Sequence, residues 1–277
     1  SRLVVQAKAG ARGGRQSPAP QQQQQQRIYV APCTELLHTL FQRCEAWEAC
    51  VQVLGVLVDL AHDKHASTRH YALSTLQRLL LSAHVDTIEL PAPAASPEPD
   101  DTASPTSTST TSSASSSSSR STSKQPYAAV LRRVLFPLVS DYLGPLGGNT
   151  DGENESRVRV CSLLIAFVLQ HLRALCSTDE FLNLWGEAMR LLEQHYALAV
   201  EGARRGGGAA AQGSLVDALP ELMKNVLFVF CTAGFVQRDD EGAGQQAWAL
   251  ACRTAEKMAP GIVQLVTTHL VPQQQPA

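Results

Sequence analysis

Residues 177–196 read STDEFLNLWGEAMRLLEQHY, and this stretch is the clearest indication of the fold. Apolar side chains recur in it every three or four residues, as they do on one face of an α-helix. Those positions are Phe181, Leu184, Trp185, Met189, Leu192 and Tyr196. Ser177 and Glu180 have the spacing of a capping box, in which two side chains bind backbone N–H groups of the first turn. We therefore predict an amphipathic helix that opens at this box.

The same helical period continues in both directions from this stretch. We predict further helices over residues 33–44, 46–62, 67–83, 127–143, 156–176, 214–230 and 245–270. Proline sets their irregularities: Pro137 should kink a helix or end a turn, and Pro220 falls in the first turns of its helix. The last segment should break at Pro260 and Gly261.

About eight helices and no convincing strand predict an all-α protein. Leu, Val and Ala supply the apolar surface, since aromatic residues make up only 5% of the chain. An amphipathic helix cannot shield its apolar stripe alone, and stacking antiparallel pairs into an α-solenoid shields every stripe. No clean repeat period is visible, so armadillo, HEAT and tetratricopeptide architectures all stay open.

Low-complexity segments divide the chain. We predict disorder for the basic, Gln-rich residues 1–32, for the Ser/Thr/Pro-rich linker 91–126 and for the tail 272–277. Helical repeats fill 33–90 and 127–271, with a Gly-rich loop at 202–213. The linker is the strongest of these predictions, because 18 of its 23 residues from Asp101 to Ser123 are Ser or Thr.

Bulk properties exclude several classes of protein. The formal net charge is -2. Nucleic-acid-binding proteins carry a concentrated positive face, and this composition does not indicate one. Seven cysteines without a C-x-x-C pair indicate reduced, packed thiols. The longest uncharged apolar run, residues 226–236, is shorter than a membrane span. The first residue is not Met, so we expect a cut chain or an incomplete gene model, and the basic N-terminal residues indicate a disordered tail more than a transit peptide.

One cluster of potential metal ligands lies at a predicted turn. His62, Asp63, His65 and His70 fall within nine residues, but the sequence places no further acidic ligand beside them. A polar loop with solvated imidazoles is the preferred interpretation. No phosphate-binding loop or nucleophile elbow is present, so we predict no cofactor, no metal site and no catalytic residue.

Two other features permit both a structural and a binding interpretation. Trp47 and Trp185 lie on apolar stripes and are expected in the core. Lys224 and Asn225 interrupt an otherwise apolar helix, where a plain core would not place them. Asn225 then either hydrogen-bonds across a helix pair, the interpretation we favour, or faces a partner.

Three stretches resemble the region downstream of the catalytic domain in large Arf guanine-nucleotide exchange factors of the Golgi brefeldin-A-resistance/GNOM family. The first is 69–81, RHYALSTLQRLLL; the second joins VLFPL at 134–138, RVR at 157–159 and LQHL at 169–172. The third and most specific runs from FLNLW at 181–185 to LPELMKNVL at 219–227 and Thr232-Ala233. The linker is longer than in the family, and Cys231 stands where the family has an acidic residue.

The resemblance implies a function for the chain. The parent protein would promote GDP release from Arf GTPases at Golgi or endosomal membranes, with the chemistry in a separate helical domain. This chain would then be a non-catalytic helical-repeat scaffold, cytoplasmic and peripheral to those membranes. Its partners would be proteins, namely Arf-pathway or Rab-type regulators or a second copy, with membrane association through the parent.

The same resemblance indicates which residues have a structural or partner-binding role. As structural or partner-facing residues it marks Arg69, Leu76, Gln77, Arg78, Trp185, Pro220, Lys224 and Asn225. Two rival functions stay open: a generic armadillo/HEAT-type adaptor unrelated to Arf, and a metal-dependent enzyme built on the cluster from His62 to His70.

Overall fold

The computed structural model describes residues 20–88, 126–144, 150–204, 209–234 and 242–270. These residues form α-helices and no β-strand. The helices are α1 (Pro20–Arg43), α2 (Trp47–Ala61), α3 (Ala66–Leu80), α4 (Pro126–Val130), α5 (Phe136–Asp141), α6 (Thr150–Gln170), α7 (Leu172–Cys176), α8 (Phe181–Arg204), α9 (Ala209–Thr232), α10 (Ala243–Met258) and α11 (Ile262–Leu270). A 3₁₀ turn (Ala83–Thr87) follows α3, and a π-helical segment (Leu131–Leu135) joins α4 to α5.

The helices stack in two layers. A first layer contains α2, the continuous α4–π–α5 helix, α8 and α10; a second layer contains α1, α3, α6, α9 and α11. Each first-layer helix packs on the second-layer helix that follows it in the chain, and neighbours within a layer pack side by side. This arrangement is an all-α solenoid of helix pairs and confirms the predicted fold class.

Aromatic contacts in the core show that the helix pairs are antiparallel. Trp185 at the start of α8 lies against Phe230 at the end of α9, with ring centroids 5.3 Å apart. Phe230 in turn lies 6.3 Å from Trp248 at the start of α10. The start of one helix can meet the end of the next only if the chain reverses direction between them. Buried leucines fill the interface along the whole stack.

The N-terminal boundary of the first helix was predicted wrongly. The sequence predicted disorder up to residue 32 and a helix from Cys33, whereas α1 begins at Pro20 and contains Pro32. The tract from Gln21 to Gln26 therefore has helical backbone, in keeping with the good helix propensity of Gln. The predicted disorder of 1–19, 91–125 and 272–277 lies outside the described residues.

The predicted Gly-rich loop at 202–213 was too long. α8 continues to Arg204 and α9 begins at Ala209, which leaves only 205–208 outside the described residues. The run of alanines from Ala209 favours helix, and the glycine content had concealed that preference. Pro220 consequently lies well inside α9 and not in its first turns.

The capping box predicted at Ser177 does not form. Its hydroxyl donates to the carbonyl of Ala174 over 2.7 Å, and the Thr178 hydroxyl donates to the carbonyl of Leu175 over 2.7 Å. Both side chains thus satisfy the last carbonyls of α7, which have no partner within that short helix. The sequence motif sits between two helices, and its hydroxyls bind the end of the preceding one.

Two further breaks follow the sequence closely. The predicted irregularity at Pro137 is a change of helix type, because the Phe136 N–H donates to the Leu131 carbonyl in the π segment just before it. The predicted break at Gly261 separates α10 from α11, and Gly261 has a φ of 86°. Glu256 holds this turn by accepting from the N–H groups of Gly261 (2.8 Å) and Val263 (3.1 Å).

Candidate interaction surfaces

The histidines of the predicted turn point to different partners. His62 donates through Nδ1 to the carbonyl of Val58 over 2.8 Å, while its Nε2 lies 3.7 Å from a carboxylate oxygen of Asp141. His70 instead faces Glu155 on α6, 3.9 Å away. Among the described residues, no group of three or more His, Cys, Asp or Glu side chains is placed to hold a metal ion. Divergent imidazoles of this kind provide no coordination geometry.

Arg69 is the buried centre of a polar junction. Only 2% of the residue is exposed. It donates to the carbonyls of Asp63 (2.9 Å) and Lys64 (3.0 Å) and to the hydroxyl of Ser156 (3.2 Å). It therefore ties the α2–α3 turn to α6 in the next helix pair. The role of this motif residue is positional, since its donors are directed inward.

Tyr142 completes the same junction. Its hydroxyl donates to the carbonyl of Ala61 at the end of α2. Burial raises the pKa of Tyr142 to about 12, so the hydroxyl stays protonated and remains a donor. Beside it, Arg157 donates to Glu153 (2.9 Å) and to the carbonyl of Gly144 (3.0 Å). Sequence reasoning missed Tyr142 because only packing reveals its burial.

The other α3 motif residues divide between core and surface. Leu76 is fully buried between the layers, whereas Gln77 and Arg78 are exposed. Arg78 forms a bidentate ion pair with Glu35 of α1, at 2.6 and 3.2 Å. The Arg78 hydrogen bond lowers the pKa of Glu35. The motif thus places one residue in the core and one in a surface contact between neighbouring helices.

The LQHL stretch at 169–172 joins α6 to the end of α3. Gln170 donates to the carbonyl of Leu81 over 3.0 Å. His171 stacks on Tyr127 with ring centroids 4.3 Å apart, and its Nδ1 lies 3.6 Å from Asp86. Tyr127 donates to the same Asp86 carboxylate over 2.8 Å. The two ends of the segment between the 3₁₀ turn and α4 are therefore held side by side.

Trp185 lies in the core, as predicted from its stripe. It is 1% exposed, and its indole N–H donates to the carbonyl of Ala247 on α10 over 2.9 Å. Phe181 lies against it one turn earlier, at 6.3 Å. This residue joins two neighbouring first-layer helices and is not available to a partner.

The α9 residues form the most distinctive exposed surface among the predicted positions. Asn225 is exposed, which favours the partner-facing interpretation over a hydrogen bond across a helix pair. Lys224 is half-buried and pairs with Glu221 on its own helix, 3.2 Å away. Phe228, which the sequence analysis had not singled out, lies one turn further on and is 48% exposed. We call Glu221, Lys224, Asn225 and Phe228 the α9 stripe.

Pro220 precedes the α9 stripe and is half-buried. It has no N–H to give to the residue four positions earlier, so one helical bond of α9 is absent there. Helical spacing could have identified the stripe, because Lys224 follows Glu221 by three residues and Phe228 follows Lys224 by four. Only the structure shows that this stripe is exposed to solvent.

Two open grooves lie at the C-terminal end of the stack. One is lined by the second half of α8 and the end of α10, where Glu193 binds Thr254 (2.8 Å) and Lys257 (2.7 Å). The other lies between α10 and α11 and includes Cys252. Thr254 and Lys257 both bind Glu193, so the polar groups named in the first groove serve as structural contacts between helices.

Two cysteines, Cys50 and Cys161, lie in the core, where they are poorly placed to act as nucleophiles. Burial raises the pKa of Cys50 to about 11 and of Cys161 to about 12. A thiol protonated at neutral pH is a poor nucleophile and a poor metal ligand. Among the residues that the structure describes, no helix is long and apolar enough to cross a bilayer.

The helical stack is similar to a repeat region in known proteins. A family model described as the GBF1-like tetratrico peptide repeat region matches residues 50–262. The Golgi-specific brefeldin A-resistance guanine nucleotide exchange factor 1 homolog of Caenorhabditis elegans is 33% identical over 202 residues. That match covers 73% of this chain and 8% of the relative, so the chain spans a small part of the relative's length. No solved structure matches.

Proposed function

Because this chain belongs to the GBF1-like tetratricopeptide repeat family, we propose that it is the non-catalytic scaffold of an Arf guanine-nucleotide exchange factor. It serves membrane targeting, regulation or partner docking in Golgi and endosomal trafficking. The observation that carries the proposal is the extent of the family match, which runs from α2 to the first residue of α11. The alternative of a generic adaptor unrelated to Arf does not account for that match.

The division of labour follows from the kind of region that is matched. The family model describes a repeat region and not an exchange domain. A solenoid binds through side chains on its exposed helix faces, so its contribution to the parent protein is a surface. We place the parent at the cytoplasmic side of Golgi or endosomal membranes, with Arf-pathway or Rab-type regulators as the partners of this region.

A nucleotide-release assay tests the non-catalytic role. Arf is loaded with a fluorescent GDP analogue, and release is followed with this chain alone and with a catalytically active exchange domain as the positive control. We expect the release rate with this chain to equal the spontaneous rate. Acceleration by the chain alone would contradict the proposed division of labour.

The docking role is assigned to the α9 stripe. Asn225 and Phe228 place an amide and an aromatic ring on the same exposed face, a combination that favours recognition of a protein partner. To test this role, the double substitution Asn225→Ala and Phe228→Glu is introduced into the full-length parent protein. We expect its Golgi recruitment to fall while its cellular abundance is unchanged.

A matched control lies in the first layer. Asn183 is also exposed, and Leu198 is 46% exposed, so Asn183→Ala with Leu198→Glu likewise removes an exposed amide and replaces an exposed apolar side chain with Glu on a different helix. The control should be recruited normally. Equal loss with both double variants, or no loss with either, would remove the α9 stripe from the proposal.

A further inference from the structure

We draw no further inference here: the strongest candidate, the open groove that Leu198 and Met258 line between the second half of α8 and the end of α10, carries nothing because no contact of the described residues shows what covers it.

Discussion

Arg69 and Arg78 lie on the same helix and within the same sequence motif, yet they differ in environment. Arg69 is buried and donates to two carbonyls and a hydroxyl, whereas Arg78 pairs with Glu35 at the surface. Removing a buried hydrogen-bonded charge leaves its acceptors without partners, and removing an exposed ion pair changes little. The energetic weight of an arginine is therefore set by its neighbours.

This contrast gives the first prediction. Arg69→Leu should lower the free energy of unfolding by about 2–4 kcal/mol, because the carbonyls of Asp63 and Lys64 and the Ser156 hydroxyl lose a buried charged donor. Arg78→Ala, the matched control, should cost no more than about 1 kcal/mol. Urea denaturation followed by circular dichroism measures both. Equal costs would show that the buried junction does not hold the two helix pairs together.

Glycine provides a second matched pair. A Cβ at Gly152 would lie 2.9 Å from the Ala66 Cβ and 3.0 Å from an Arg69 nitrogen, whereas a Cβ at Gly186 meets nothing within 4 Å. Gly186→Ala should stabilise the protein by about 0.5–1 kcal/mol through helix propensity. Gly152→Ala should destabilise it, since the contact outweighs that gain. Thermal denaturation gives the sign of each change, and stabilisation by both would contradict the close approach.

Buried histidines make stability depend on pH. His195 donates through Nε2 to the carbonyl of Val139 over 2.9 Å, and burial lowers its pKa below the ordinary value near 6.5. Below that value the unfolded chain binds a proton that the folded chain does not, so stability falls as the pH decreases. Burial lowers the pKa of His171 as well, in the same direction.

We therefore expect the free energy of unfolding to be highest above pH 7 and to fall between about pH 6.5 and 5. His195→Gln keeps an N–H donor but does not titrate, so the variant should show a shallower slope over this window. Urea titrations at several pH values measure the slope. An unchanged slope in the variant would show that His195 contributes nothing to the pH dependence.

At the scale of the helix, neighbouring first-layer helices are joined by polar contacts at their surface. Glu48 binds Arg133, Arg132 binds Glu180, and Glu193 binds Lys257. These ion pairs are exposed and contribute little energy individually. The buried contacts between the same helices, such as the Trp185 indole on Ala247, carry more of the stability because water cannot replace them.

Trp185 tests this difference. Trp185→Phe keeps an aromatic ring but leaves the buried Ala247 carbonyl without its donor, and the smaller ring leaves space in the core. We expect a cost of about 2–3 kcal/mol, measured by denaturant titration. Lys257→Ala, which breaks an exposed contact between the same two helices, is the control and should cost less than about 1 kcal/mol.

At the scale of the whole molecule, we expect the stack to tolerate an insertion between its first two helix pairs. Asp86 and Tyr127 hydrogen-bond across the two ends of the segment, and His171 packs on Tyr127. A closed stem isolates an inserted segment from the fold, since loop-closure entropy changes only slowly with loop length. The linker was predicted over residues 91–126; α4 begins at Pro126, so we retain only residues 91–125 as a proposed linker.

A shortened chain tests that linker. Replacing residues 92–124 with a short Gly-Ser connector should leave the midpoint of thermal unfolding within a few degrees of the parent value. The same replacement combined with Asp86→Ala and Tyr127→Phe removes the stem hydrogen bond and should unfold earlier. Severe destabilisation by the replacement alone would show that the segment contributes packing and is not a linker.

The helices themselves were predictable from local patterns. The stripe through Trp185, the break at Gly261 and the irregularity at Pro137 depend on residues a few positions apart. The predicted helix boundaries were wrong where two local conformational preferences competed. The hydroxyl of Ser177 could bind either the helix before it or the helix after it, and the alanines from Ala209 adjoin glycines.

Periodicity along the chain was sufficient for the all-α class and for stacking in pairs, because an apolar stripe is a local property that must be shielded from water. Which side chains are exposed depends on the packing of helices that are distant in the sequence. Arg69 is buried and Asn225 is exposed because of what α6 and its neighbours cover, and no spacing within α3 or α9 reveals that. The exposed surfaces could therefore be recognised only after the layers were assembled.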